Sequence, residues 1–276
     1  MATTKASRTT RKATASVARA KKKSKVVAKK VSPRLKLDKQ SEPLYYLHEY
    51  HVDLQLNHVF IMGNHNLSVG VGTTEEEAGE PGVEYTMTNR LILNLHTCQN
   101  LNPGMDLVVH LKTNGGFWEE GMAGYNTLIT YPGNITVINY THARSMSSLL
   151  FLAGVKRVMM PDSSFMFHEG TMGMYGTQKQ FRTEAEWALR SSERMLDIYV
   201  DALREQGSMS GKGWTDRKVR KWLVDQMDKK EEVYTNAVDS VKLGFADEVF
   251  SGDWGSLTEY TPQQLKRRER YLSLNT

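Results

Sequence analysis

The sequence predicts an α/β fold in which a largely parallel β-sheet is covered by helices. Short apolar segments alternate along the chain with segments of helical periodicity, an order that is typical of β-α-β crossover units. Residues 106–112 form a nearly continuous apolar run, as expected for a strand that is buried on both faces. Residues 178–205 keep their apolar side chains largely on one face, which predicts one long amphipathic helix.

Residues 1–40 are expected to form a disordered basic tail. Thirteen of the 36 Lys and Arg residues lie within Met1–Leu37, and no acidic residue precedes Asp38. The same segment has no aromatic residue, so it can bury too little apolar surface to offset its ordering entropy. Its role is left open between a basic arm that binds nucleic acid, a transit peptide and a solvated segment that aids solubility or docking.

The rest of the chain is acidic, with 23 basic against 31 acidic residues. It has no apolar run near the ~18–20 residues of a membrane span, so we expect no uncleaved membrane anchor. The single cysteine, Cys98, excludes an intramolecular disulfide, fits the reducing cytoplasm and is expected to be buried among leucines. We expect no metal or organic cofactor, because four histidines lack a ligand spacing and are expected at the surface: His48, His51, His58 and His65.

Local signals in the first half of this body predict three elements and one loop. A strand ends in the apolar run His58–Met62, and the Glu- and Gly-rich residues 73–82 form a surface loop. A helix lies between Thr88-Asn89 and the breaker Asn102-Pro103-Gly104. The buried strand at 106–112 follows it.

The second half is predicted to continue the alternation of helices and strands. Gly154 and Gly207 each end a helix, and a flexible link runs from Gly207 to Gly213. The predicted elements are a helix at 121–129, a strand at 135–140, a helix at 145–152, strands at 158–160 and 165–167, the long helix at 178–205, and a helix that is capped by Thr215 and passes through Val224.

Three segments carry residues that are suited to catalysis. Gly115 and Gly116 follow a strand, where paired glycines let the backbone approach a ligand and point N–H groups at an oxyanion. Ser145 begins a helix next to unpaired N–H groups, and His168 ends an apolar strand and can act as a general base. Taken singly, each has a simpler interpretation, namely a tight turn, an N-cap serine and a structural histidine.

Together, these segments resemble the proteolytic subunit of the Clp protease, and the resemblance extends over residues 45–250. Five motifs carry it. Val108-Val-His-Leu-Lys-Thr-Asn-Gly-Gly116 is similar to the family's strand ending in Asn-Ser-Pro-Gly-Gly, and Gly121-Met-Ala-Gly-Tyr-Asn-Thr-Leu128 is similar to the helix that follows it. The other three are Ala143-Arg-Ser-Met146, similar to Ala-Ala-Ser-Met; Met160-Pro-Asp-Ser-Ser-Phe-Met-Phe-His168, similar to Leu-Pro-Asn-x-x-x-Met-Ile-His; and Lys242-Leu-Gly-Phe-Ala-Asp-Glu-Val249, similar to Glu-Tyr-Gly-Leu-Ile-Asp-Glu-Val.

The resemblance implies a fold, a domain organisation and a set of partners. The fold is the Clp/crotonase-like stack of ββα repeats with a protruding long helix, here residues 178–205. A peptidase domain would occupy residues 41–255, and residues 256–276 would be a C-terminal extension. The family implies polypeptide substrates, stacked rings of identical subunits that pack through the long helix, and an AAA+ unfoldase partner.

The resemblance also implies the catalytic residues. Ser145 would be the nucleophile that forms an acyl-enzyme, and His168 would accept its proton. The N–H groups of Gly116 and Met146 would form the oxyanion hole.

The third member of the triad is left open. Glu232 stands where the family has aspartate, and Asp228 is the alternative if the alignment shifts; Glu232 could also be a helix-surface charge. A glutamate can orient the imidazole in such a triad.

Other positions depart from the family pattern. Asn114 replaces a proline, and Arg144 replaces a small residue before the nucleophile, where it could obstruct the substrate groove or select acidic residues. This divergence is similar to that of phage-encoded relatives, for which the location would be the virion; a transit peptide would instead indicate an organelle.

Three functional hypotheses follow. The leading one is a serine endopeptidase in a ring-shaped oligomer. A crotonase-like acyl-CoA enzyme would share the fold but would not need Ser145 and His168 as a pair. A catalytically inactive structural subunit with a nucleic-acid-binding tail is compatible with Arg144 and the unassigned acid.

Overall fold

The computed structural model describes residues 42–62 and 82–273. The predicted tail at 1–40 and almost all of the predicted loop at 73–82 lie outside these residues. The described strands are β1 (Val52–Asp53), β2 (His58–Met62), β3 (Leu107–Thr113), β4 (Ile135–Arg144), β5 (Lys156–Met159), β6 (Ser164–Phe167), β7 (Val233–Asn236) and β8 (Glu248–Val249). The described helices are α1 (Glu42–Tyr50), α2 (Tyr85–Leu101), α3 (Trp118–Thr130), α4 (Met146–Leu152), α5 (Gln178–Glu205), α6 (Gly207–Gly211), α7 (Asp216–Lys229), α8 (Ala237–Leu243) and α9 (Pro262–Ser273).

The strands form one eight-stranded sheet in the described part of the chain, and most of its pairs are parallel. Its main order is β1-β2-β3-β4-β5-β8, with β6 paired to the second half of β4 and β7 antiparallel to β6. Between β2 and β5, each strand connects to the next by a crossover that carries a helix. The predicted α/β fold with a largely parallel, helix-covered sheet is confirmed.

The two faces of the sheet pack against different partners. Inward-facing side chains such as Val109 and Val137 join the main core with the helices α2, α3 and α4. Val108, Ile138 and Val158 face the other side and pack with Leu257, which lies in the short 3-10 helix Gly255–Thr258. This alternation follows from the two-residue period of a strand.

The long helix α5 begins and ends where the sequence predicts. The apolar side chains of its second half are buried between Met195 and Leu203, whereas Phe181, Trp187 and Leu189 in its first half are 47%, 52% and 66% exposed. The first half therefore presents apolar side chains that the described chain does not cover.

Two predicted helix starts and the predicted flexible link are wrong. The helix α2 begins before Thr88, because the Glu84 carboxylate caps the N–H groups of Thr86 and Met87. The helix α3 begins at Trp118, before the predicted start at residue 121, whereas α7 is capped by Thr215 and passes through Val224 as predicted, ending at Lys229. The residues predicted as a flexible link form the helix α6, followed by a turn at Lys212.

The elements absent from the sequence-based expectation are α1, β1, β7, α8, β8 and α9, of which β7 and α9 bear on the site and the core. The strand β7 lies next to β6, and α9 forms within the predicted C-terminal extension. Arg267 on α9 is 2% exposed and binds Asp247 at 2.9 and 3.0 Å and Glu205 at 2.6 Å. These ion pairs join α9 to the end of α5 and to the segment before β8.

The burial of individual residues tests the predictions made for Cys98 and for the histidines. Cys98 is fully buried as predicted, and burial raises the pKa of its thiol to about 11. The prediction of surface histidines is wrong for His51, which is 5% exposed with Nδ1 3.2 Å from Arg90, and His58 is partly buried with Nδ1 3.0 Å from His110. No helix in residues 42–62 and 82–273 is long and apolar enough to span a membrane.

Candidate active site

Ser145 lies at the sharp turn between the end of β4 and the start of α4. Its backbone has φ 52° and ψ −128°, a conformation that costs a non-glycine residue on the order of 1–3 kcal/mol. Its N–H donates to the Met166 carbonyl at 3.2 Å, and its carbonyl accepts from the Ser148 N–H at 2.9 Å. The N-cap interpretation is wrong, because the Ser145 side chain makes no capping hydrogen bond. Such a turn presents the serine hydroxyl away from the helix.

His168 follows β6, and its imidazole contacts the hydroxyl of Ser145. The distance between Nε2 of His168 and Oγ of Ser145 is 2.8 Å. Burial lowers the pKa of His168, and the negative charges of Glu232 and Glu231 oppose this shift. The lowered pKa favours the neutral imidazole. In the tautomer with its proton on Nδ1, Nε2 accepts the serine hydrogen.

Glu232 immediately precedes β7 and His168 immediately follows β6, and these two strands are antiparallel. The register pairs Met166 with Tyr234 and Phe167 with Val233, so His168 and Glu232 each lie next to the last pair, and the charge of Glu232 acts on the imidazole. The Glu232 carboxylate accepts a hydrogen bond from the Tyr234 hydroxyl at 2.6 Å. Among the described residues, Nδ1 of His168 has no hydrogen-bond partner.

Asp228 is exposed near the end of α7. The carboxylates whose charge acts on the imidazole of His168 are Glu232 and Glu231, the second of which the sequence analysis missed. Electrostatics and strand register therefore favour Glu232 over Asp228 as the acid beside the histidine.

The two glycines after β3 form a backbone turn against Ser145. Gly115 has φ +102°, and a Cβ on it would lie 2.6 Å from the Ser145 Cβ and 3.0 Å from the backbone nitrogen of Met146. Only glycine fits this close approach.

The same turn is held on its other side by Val83. The Val83 N–H donates to the Gly115 carbonyl at 2.6 Å, and the Phe117 N–H donates to the Val83 carbonyl at 2.9 Å. Because backbone groups alternate along an extended segment, the N–H of Gly116 points away from Val83. The N–H of Met146 is among those at the start of α4 that have no partner within the helix.

Arg144 lies directly before the serine and packs on an aromatic ring. Its guanidinium carbon is 5.3 Å from the centre of the Tyr234 ring, a distance typical of a cation–π contact. Its Nε is buried without a hydrogen-bond partner in the described chain. Tyr234 therefore contacts both Arg144 and Glu232.

Sequence analysis also missed Ser148 and Tyr199. The Ser148 hydroxyl lies 2.6 Å from the Ser145 carbonyl and 2.6 Å from the Tyr199 hydroxyl. A serine in the first turn of a helix is a recognisable signal for a hydrogen bond to the backbone. Tyr199 is 51 residues further along the chain, and no local signal connects it to the site.

Comparison with known proteins assigns the family. The Clp protease family model matches residues 79–253, which is more than half of the chain. The chain therefore belongs to the Clp protease family, and its class is that of the Clp-type peptidases.

Individual relatives agree with this assignment. The chain is 26% identical over 169 residues to an ATP-dependent Clp protease proteolytic subunit from Deinococcus radiodurans, covering 60% of this chain and 76% of that protein. It is 28% identical over 148 residues to an ATP-dependent Clp protease proteolytic subunit 1 from Leifsonia xyli, covering 52% and 66% of the two chains. The fold matches a solved ClpP1 mutant from Listeria monocytogenes with a TM-score of 0.55 at 14% identity, over 74% of this chain and 96% of the other.

Proposed function

We propose that this chain is a serine endopeptidase that cleaves polypeptides through an acyl-enzyme on Ser145. The observation that carries the proposal is the 2.8 Å contact between Ser145 Oγ and His168 Nε2 at a strained strand-to-helix turn. A nucleophile and a base within hydrogen-bond reach are the requirement for activating a serine.

In the proposed acylation step, Oγ of Ser145 bonds to the carbonyl carbon of the scissile peptide while its proton moves to Nε2 of His168. The negative charge develops on the substrate oxygen, where the N–H groups of Gly116 and Met146 stabilise it. His168 then donates the proton to the leaving nitrogen as the carbon–nitrogen bond breaks. Water repeats the sequence on the acyl-enzyme and releases the second product.

Glu232 is the proposed third member of the triad. The imidazole becomes positively charged in the step above, and a carboxylate beside it stabilises that charge. The triad would be completed by a rotation of the Glu232 side chain that replaces its hydrogen bond with the Tyr234 hydroxyl by one with Nδ1 of His168.

The assembly is also a proposal. The curated relatives carry the name of a proteolytic subunit of an ATP-dependent protease, and the first half of α5 has exposed apolar side chains. We infer a ring-shaped homo-oligomer that packs through α5 and receives polypeptides from an AAA+ unfoldase. Four further statements are proposals. The peptidase domain spans residues 41–255 with an extension at 256–276, and the tail at 1–40 binds nucleic acid. The protein has a cytoplasmic location and a phage-type origin.

One second candidate has an observation in its favour. The bond between Tyr234 and Glu232 leaves His168 without an orienting carboxylate, as expected for a catalytically inactive structural subunit. The crotonase-like alternative has no comparable support, because it does not require the pair of Ser145 and His168.

Labelling with a fluorophosphonate probe tests the proposal. The assembled wild-type protein should be labelled, Ser145→Ala and His168→Ala should not, and Ser147→Ala should be labelled like the wild type, because the Ser147 hydroxyl has no described partner. Absence of labelling in the assembled wild type would favour the structural subunit.

A further inference from the structure

Two buried hydroxyl groups connect the long helix α5 to the backbone of Ser145. The hydroxyl of Ser148 lies 2.6 Å from the carbonyl oxygen of Ser145, and the hydroxyl of Tyr199 lies 2.6 Å from that of Ser148. Ser148 and Tyr199 are both 0% exposed. The two bonds therefore form a continuous chain inside the core, from the buried half of α5 to the turn that holds the serine.

The direction of both hydrogen bonds follows from the chemistry of the groups. A carbonyl oxygen can only accept, so the hydrogen of the Ser148 hydroxyl points to Ser145. The Ser148 oxygen then has lone pairs free, and the hydroxyl of Tyr199 donates to it. Burial raises the pKa of Tyr199 above its ordinary value, which keeps this donor protonated.

The carbonyl that they hold belongs to the same peptide unit as the N–H of Met146. Because a peptide unit is planar, fixing the direction of its carbonyl also fixes the direction of its N–H. The N–H of Met146 is one of the two proposed oxyanion donors. The unit follows a residue with φ 52°, and such a conformation persists only where surrounding contacts hold it.

We infer that Ser148 and Tyr199 are positioning residues that orient the Met146 N–H toward the oxyanion through the carbonyl of Ser145. The inference rests on the proposed function, since it describes how that site is held. Both residues lie outside the reacting atoms and act through the peptide unit between Ser145 and Met146.

The neighbouring Ser147 supplies a matched control. It is also 0% exposed and lies on the same turn of α4, but its hydroxyl has no hydrogen-bond partner among the described residues. Ser147→Ala and Ser148→Ala remove the same oxygen from adjacent buried positions. Only the second change breaks the chain of hydrogen bonds.

The expected effect is on turnover rather than on substrate binding. Ser148→Ala should lower kcat about tenfold, less than the ~10²–10³-fold that follows loss of a whole oxyanion donor, with KM of a fluorogenic peptide nearly unchanged. Tyr199→Phe, which keeps the ring against Phe165, should lower kcat in the same direction. The double variant should resemble Ser148→Ala, because both changes act on one chain. The acidic limb of the pH profile should not move, since His168 is untouched.

The same measurements separate failure of this inference from failure of the proposed function. An assembled wild type without peptidase activity or fluorophosphonate labelling would contradict the function itself. Wild-type activity together with equal kcat in Ser147→Ala and Ser148→Ala would overturn the positioning role. If Ser148→Ala lowers the melting temperature or disrupts assembly, Tyr199→Phe decides, and unchanged kcat in a folded Tyr199→Phe protein would overturn it.

Discussion

At the scale of single residues, the protonation state of His168 controls the proposed chemistry. Burial lowers the pKa of His168, whereas Glu232 and Glu231 raise it. The neutral imidazole is the base, so activity is present above the pKa of His168 and is lost as the pH falls through it. The lowered pKa extends the active range toward acidic pH.

Removing the charge of Glu232 should shift the acidic limb of the pH profile of kcat/KM. Glu232→Gln takes away a charge that raises the pKa of His168, so the limb of kcat/KM should move to lower pH while kcat falls, because the imidazolium loses its stabilising carboxylate. Asp228→Asn is the control, since this exposed carboxylate does not act on His168. An equal shift in both variants would contradict the assignment of Glu232.

The turn at Gly115 gives a second prediction for a single residue, which concerns catalytic activity. Gly115→Ala should reduce activity by about 10²-fold or more, because a Cβ would meet Ser145 at 2.6 Å and move an oxyanion donor. Gly104→Ala is the control, because Gly104 also has a positive φ of +72° but has no atom within 4 Å of the added carbon. Steady-state kinetics on folded variants would check this, and comparable losses of activity in both would contradict it.

At the scale of elements, α9 is tied to the body by buried charges. The side chain of Arg267 is 1% exposed and that of Asp247 is 6% exposed. Burial by itself raises the pKa of Asp247, but the charge and hydrogen bonds of Arg267 outweigh burial and lower it. The carboxylate therefore remains charged inside the core mainly through this arginine, with a further hydrogen bond from the Arg157 N–H at 2.7 Å.

Loss of that arginine should destabilise the fold. Arg267→Met leaves Asp247 buried without its ion-pair partner and should lower the free energy of unfolding by about 3–5 kcal/mol. Lys266→Met, at an exposed neighbouring position, should change it by less than about 0.5 kcal/mol. Denaturant midpoints would check both, and a small effect of Arg267→Met would contradict the stabilising role of this ion pair.

At the scale of the whole molecule, the uncovered apolar side chains of α5 support the proposed assembly. Leu189 on α5 and Leu93 on α2 are each 66% exposed, so they form a matched pair for testing it. Leu189→Glu should shift the oligomer to smaller species in light scattering, because a charge is costly to bury in an apolar interface. Leu93→Glu shows whether the effect is specific to α5, and an unchanged oligomer in Leu189→Glu would contradict packing through this part of the helix.

The sequence by itself determined the features that depend on neighbouring residues. The extent of α5 was predicted from its apolar spacing and from Gly207 after its end, and the structure adds a capping box of Thr177 and Gln180 at its start. The fold class follows from the alternation of strands and helices. The pairing of Ser145 with His168 came from motifs that resemble a known family. Each of these signals acts within a few residues or within a short motif.

Only the tertiary structure decided the features that join distant segments. The strand β7 gains its hydrogen bonds from β6, and α9 is fixed by Arg267, which is 62 residues from its partner Glu205. The contact between Ser148 and Tyr199 likewise spans 51 residues. Periodicity and capping describe a local conformation, whereas these contacts depend on which segments pack together, and that is determined by burial of the whole core.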